Sequence, residues 1–248
     1  MRKGSTSHIA NRQSSIVNRQ FLIAFLLLSR LVPAAPQEKG RTQEEGVFQI
    51  FFEGKEIGSE KYRLVVEQAA AVSSSVLDFR NPANTRQRIQ LESKLEMDGR
   101  FRPRSYHLKS QVDGKKGSIV GSFPPKTVMF EYGRNGVTKK SGVVVGNDYT
   151  ILDTNIFHHF TFLARLYSFD SRVSPQRFEV VIPQEGDGGF LKISEVKKET
   201  LMFKGKNIET RLLQVESGAV TIHVWIDERR TVHRIAVPSS KIEVMRVS

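Results

Sequence analysis

Arg88–Met97 reads RIQLESKLEM, and its period of two decides the fold class. In an extended chain Ile89, Leu91, Ser93, Leu95 and Met97 point one way, while Arg88, Gln90, Glu92, Lys94 and Glu96 point the other. That is a strand with one dry face and one wet face. Asp98-Gly99 follows as a hairpin-type pair, and Tyr106, Leu108, Ser110 and Val112 resume the alternation. Strand, turn, strand is the unit of this chain.

The same unit recurs outward in both directions. Phe48–Phe52 and Tyr62–Val66 flank a Glu53-Gly54-Lys55-Glu56 turn; Val128, Phe130 and Tyr132 alternate, as do Phe178, Val180 and Ile182 up to Pro183. Further turn signals stand at Asp113-Gly114, Asn135-Gly136, Asp187-Gly188-Gly189 and Lys204-Gly205-Lys206. Closely spaced strands with short turns predict a mostly antiparallel, strongly curved sheet or incomplete barrel. Near the C-terminus a four-residue turn at Asp227–Arg230 would set Val220 opposite Val237, Ile222 opposite Ile235, Val224 opposite His233 and Trp225 opposite Val232.

One segment breaks the pattern. Asp153-Thr154-Asn155 offers helix-capping side chains, and Ile156–Tyr167 (IFHHFTFLARLY) contains neither Gly nor Pro, so one helix is expected over about 153–168. Ile156, Phe160, Leu163 and Tyr167 form one stripe, and Phe157, Phe162 and Leu166 occupy the other faces. A helix apolar nearly all round is buried. It is expected to pack on, or cap, the curved sheet.

No constellation carries chemistry convincingly. Adjacent His158 and His159 point about 100° apart on a helix and cannot easily share a metal, so one buried and one exposed histidine are expected, with Asp153 within reach of one of them. His223 and Asp227 lie about 13 Å apart along a strand, too far to bond. Ser194-Glu195-Val196-Lys197 matches a Ser-x-x-Lys pattern, but in a strand i and i+3 face opposite ways. Walker, nucleophile-elbow and dinucleotide motifs are missing from the sequence. No catalytic residue, metal ligand or cofactor is therefore assigned.

Composition bounds the setting. The 248 residues hold no cysteine, which excludes disulfides, thiolate chemistry and a lipid-modified N-terminal cysteine. Basic residues before position 20, the apolar run Phe21–Ser29 and the small residues at the exit make residues 1–34 an expected Sec-type signal peptide, cleaved after Ala34. The run is too short to span a bilayer, which takes about 20 residues. Residues 35–45 read as a polar linker and 46–248 as one β-rich domain. Without its five leader charges the chain keeps 33 basic and 26 acidic residues, near +7. That favours an anionic envelope surface. Because no block of basic residues stands out, a nucleic-acid partner is not expected.

Ile222-His-Val-Trp225-Ile-Asp227, Val232-His-Arg-Ile235-Ala-Val237-Pro238 and Ile242-Glu243-Val244, together with the opening hairpin bearing Gly54 and Gly58, resemble a widespread exported family of bacterial β-proteins known as a domain of unknown function. The resemblance implies a cupped sheet of the lipoprotein-carrier type with a helix over its mouth. It supplies no catalytic residues. The expected function is an exported envelope protein holding a lipid or other apolar ligand, with Ile156, Phe157, Phe160, Leu163, Tyr167 and Trp225 lining the pocket. The alternative is a structural or interaction protein whose helix fills a solid core; an enzyme is the weakest of the three readings.

Overall fold

A computed structural model describes residues 40–248 except residue 219. The expected leader and residues 35–39 of the expected linker lie outside that range.

Among the described residues, fifteen strands form one sheet. The first eight are β1 (Thr42–Phe52), β2 (Lys55–Val66), β3 (Ala70–Asn81), β4 (Asn84–Asp98), β5 (Pro103–Val112), β6 (Lys115–Ser122), β7 (Thr127–Arg134) and β8 (Val137–Val144). After β9 (Tyr149–Ile151) come β10 (Gln176–Ile182), β11 (Asp187–Phe203), β12 (Lys206–Ser217), β13 (Val220–Ile226), β14 (Val232–Val237) and β15 (Ile242–Arg246). Two meanders run away from a central pair: β1 to β8 spread one way, β15 back to β9 the other, and β1 pairs antiparallel with β15. Every pairing is antiparallel except β9 with β10. The sheet does not close, but its margins meet. Tyr132 Oη on β7 donates to the Pro183 carbonyl at 2.8 Å, and Ser141 Oγ on β8 to the Gly186 carbonyl at 3.5 Å.

The alternation sorts residues as the sequence predicts. Leu91, Leu95 and Met97 are buried, and so are Ala71, Leu77 and Phe79 on the neighbouring strand. Close approach demands glycine twice. A Cβ on Gly46 would sit 2.6 Å from the Tyr62 ring, and one on Gly58 2.2 Å from the Asp78 carbonyl oxygen.

Four details differ from the expectation. β1 begins at Thr42, so residues 42–45 are strand rather than linker, because Glu44 continues the inward phase of Phe48 and Ile50 and finds cationic partners there. Residues Asp187–Gly189 belong to β11, and the turn comes earlier, where Glu185 and Gly186 donate back to Ile182. The β13–β14 register is shifted by two: Val224 faces Ile235 and Trp225 faces Arg234. Asp227 accepts the Thr231 amide, Arg230 adopts φ 66°, the turn takes in Thr231 as a fifth residue, and a bulge after Trp225 absorbs one more. The helix is also shorter than expected. A one-turn 3-10 segment (Phe157–His159) leads into α1 (Phe160–Leu166), with no side-chain cap at either start.

Candidate functional site

The segment 156–167 lies in the trough of the sheet as a plug, and Phe160–Ala164 are all buried. A polar layer holds it there. Glu60 on β2 and Ser73 on β3 both fall on the inward phase of their strands, where water is excluded. His158 bridges them: Nδ1 lies 2.6 Å from Glu60 Oε1 and Nε2 lies 2.5 Å from Ser73 Oγ. The backbone amide of His158 also donates to Glu60 Oε2 at 3.0 Å. In the tautomer that donates from Nδ1 to Glu60, Nε2 accepts the Ser73 hydroxyl. The ring stacks on Tyr62 at 5.4 Å, which in turn stacks on Phe48 at 5.2 Å.

Serine, histidine and carboxylate in that order have the connectivity of a nucleophile, its base and the base's orienting group. The surroundings point to a different role. Ser73 sits in mid-strand with ladder partners on both sides, Leu64 and Leu95, so no neighbouring amide is free for an oxyanion. The side chain that covers Ser73 is His158 itself. The geometry is that of a latch between plug and sheet.

A second contact sits beside it. Asp153 Oδ2 accepts the Tyr106 hydroxyl at 2.5 Å, and Oδ1 accepts the amides of Thr154 and Gln184 at 2.9 and 2.8 Å. Asp153 therefore ties the plug's entry to β5 and to the 183–186 turn instead of capping a helix. Its amide, not its carboxylate, meets a histidine, donating to His159 Nδ1 at 3.1 Å. Both histidines are fully buried, where one was expected to be exposed, because the plug has sheet on several sides. Burial, and then the neighbouring His158, hold His159 well below the ordinary histidine range, so it is neutral.

Burial also pushes the Asp153 carboxyl up to about 6, against the hydrogen bonds from Tyr106, Gln184 and Thr154 that favour its anion. The folded state thus holds this proton more tightly than the unfolded chain. The residue costs nothing below the unfolded value near pH 4. Its cost grows as pH rises through 6, reaching about 3 kcal/mol above it. Asp153→Asn removes that cost. In urea melts the stability of the variant relative to the parent should climb by about that amount between pH 4 and 7. A difference that stays flat across the window would mean the carboxyl is not held neutral.

At the other end of the plug, Glu44 takes Tyr62 Oη at 2.7 Å, Arg246 at 2.7 Å and Arg165 at 2.6 Å. Burial alone would raise Glu44, but these hydrogen bonds and the two guanidinium charges outweigh it and hold the carboxyl below its usual range. Arg230 closes the helix by donating to the carbonyls of Ala164, at 2.8 Å, and Tyr167.

Above the start of the plug lies a cavity of about 360 Å³. Its floor is Ile156, Phe157 and Phe160; its walls are inner-face residues such as Val180, Leu191 and Ile222. Its mouth lies among the hairpin turns, where Ser217, Val220 and Ser240 stand. Of the six residues expected to line a pocket, Ile156, Phe157 and Phe160 do so. Leu163 is packed in the core, and Tyr167 points to β11, where its hydroxyl accepts the Glu195 amide at 3.1 Å. Trp225 is on the outer face, since the inward phase of β13 belongs to Ile222, Val224 and Ile226. There Arg234 lies 4.6 Å over its ring and its indole N–H donates to Glu199. Asp227 does bond a histidine, but it is His233, at 3.0 Å, rather than His223. Sequence reasoning missed Glu60 and Ser73; the signal was a carboxylate and a hydroxyl on the buried phase of strands.

No family model matches the chain. No curated protein matches it either. Solved structures do. A β-barrel-like protein of the domain of unknown function DUF1849 from Brucella abortus superposes with a TM-score of 0.57 at 6% identity, over 84% of this chain and 94% of that one. A DUF1089 family protein from Pseudomonas aeruginosa gives a TM-score of 0.41 at 14% identity, over 70% and 86% of the two chains. The first of these shows that the fold of this protein is β-barrel-like.

Proposed function

We propose that the protein is an exported envelope protein that holds a lipid or other apolar ligand in the cavity above its plug. The observation that carries the reading is the cavity of about 360 Å³. It is large enough for a small ligand, as pockets commonly measure roughly 300–1,000 Å³. Its floor and walls are dominated by aliphatic and aromatic side chains, and a few hydroxyls stand at the mouth. Hydrophobic transfer would supply the affinity, and the hydroxyls would orient a polar end. The leader-like N-terminus supports export, and the basic surface fits an anionic envelope.

Ile222→Trp fills the cavity from its wall without disturbing the latch. Native mass spectrometry of gently extracted protein should show a bound apolar molecule. Uptake of a fluorescent fatty acid should weaken at least tenfold in the variant, about 1.4 kcal/mol. An empty mass together with no uptake by the parent protein would leave the plug as core filling alone.

A further inference from the structure

A second cleft, of about 480 Å³, lies at the opposite end of the plug and belongs to neither the latch nor the apolar cavity. It exists because β9 is only three residues long and pairs with β10 from Glu179 onward, which leaves Arg177 and Phe178 without a neighbour on that side. The gap is bounded by the residue 99–102 turn, by Tyr149 and by the last turn of α1. Its chemistry is two-sided. Phe101, Tyr149, Leu166 and Phe178 give it an apolar floor, and Arg100, Arg102, Arg165 and Arg177 surround that floor.

Two of the four guanidinium groups are left without an ion-pair partner. Four guanidinium groups face two carboxylates, Asp148 and Glu179, and both oxygens of Glu179 are engaged by the Gly146 amide at 3.0 Å. Arg102 is paired with Asp98 at 2.8 Å, and Arg165 with Glu44 at 2.6 Å. Arg100 and Arg177 have no carboxylate partner among the described residues; the Arg177 guanidinium lies over the ring of Phe190, a neighbour outside the cleft lining, 3.7 Å from its centroid. A stacked guanidinium keeps its in-plane N–H donors available, in the fork that matches a carboxylate or phosphate.

We infer that this cleft is an anion-binding site for a small amphiphile: a phosphate or carboxylate group held by Arg100 and Arg177, with an attached apolar body on the Phe101–Phe178 floor. The site is independent of the fatty-acid reading given above for the other cavity.

Calorimetric titration of the full chain at low salt, with octyl phosphate and inorganic phosphate as probes, tests it. Octyl phosphate should bind the parent protein and weaken as salt is added. The Arg100→Ala/Arg177→Ala variant, altered only at two exposed side chains, should bind it roughly a hundredfold more weakly, about tenfold per lost charged hydrogen bond. Ile222→Trp should leave this binding unchanged, which separates the two cavities. Equal affinity in the double arginine variant would overturn the site. Inorganic phosphate binding as tightly as octyl phosphate would overturn the apolar half of the assignment.

Discussion

Glu60→Ala should destabilise the protein by about 3–5 kcal/mol, read as a drop in the urea midpoint at unchanged slope. The carboxylate satisfies two buried donors at once, the His158 ring and the His158 amide, and removing it leaves both in a dry interior. Glu60→Gln should cost far less. The amide oxygen can still accept the backbone N–H, and the amide nitrogen can donate to Nδ1 once His158 moves its proton to Nε2, where Ser73 Oγ accepts it. Replacing both partners, as in Glu60→Leu/His158→Leu, should recover only part of the loss, since the His158 backbone amide and the Ser73 hydroxyl still lose their partners. A loss below about 1 kcal/mol for Glu60→Ala would mean the layer does not lock the plug.

Phe162→Ala should be comparably damaging, about 3–5 kcal/mol. The ring is fully buried, with Phe101, His158 and His159 at centroid distances of 6.1, 5.8 and 5.2 Å. Its removal opens a void among side chains that the sheet holds in place. Phe157→Ala should cost clearly less, because Phe157 already borders the cavity and gives up fewer contacts. Equal losses at the two positions would imply that the interior is packed throughout and that nothing is held above the plug.

The difference between what could and could not be read in the sequence has a physical cause. Strands were legible because burial on one face forces a two-residue period, so RIQLESKLEM became the core of β4. The plug was legible as a greasy segment, and its burial followed. Its length was not, because tertiary contacts rather than caps set where α1 starts. The β13–β14 register failed on one local event, the Asp227-capped turn with its bulge, which moves the partners of Val224 and Trp225 by two and brings Val232, expected opposite Trp225, into the core opposite Ile226. Trp225 was expected in the pocket lining, against the phase of its own strand. The latch was hidden for another reason. Glu60, Ser73 and His158 are 13 and 85 residues apart in sequence, and each looks ordinary until the sheet curls. A charge in phase with Tyr62 and Leu64 was the visible clue.

The seam between the two meanders sets the order of assembly. Each meander grows through hairpins between near neighbours, which close quickly, but β1 can take its second partner only when residues 242–246 are available, some two hundred positions downstream. Until those residues arrive, the β1 edge toward β15 waits bare. Its Val47-Phe48-Gln49-Ile50-Phe51-Phe52 stretch is an adhesive edge in that interval. β15 acts as a clasp, fastening the two meanders together and covering this adhesive ribbon.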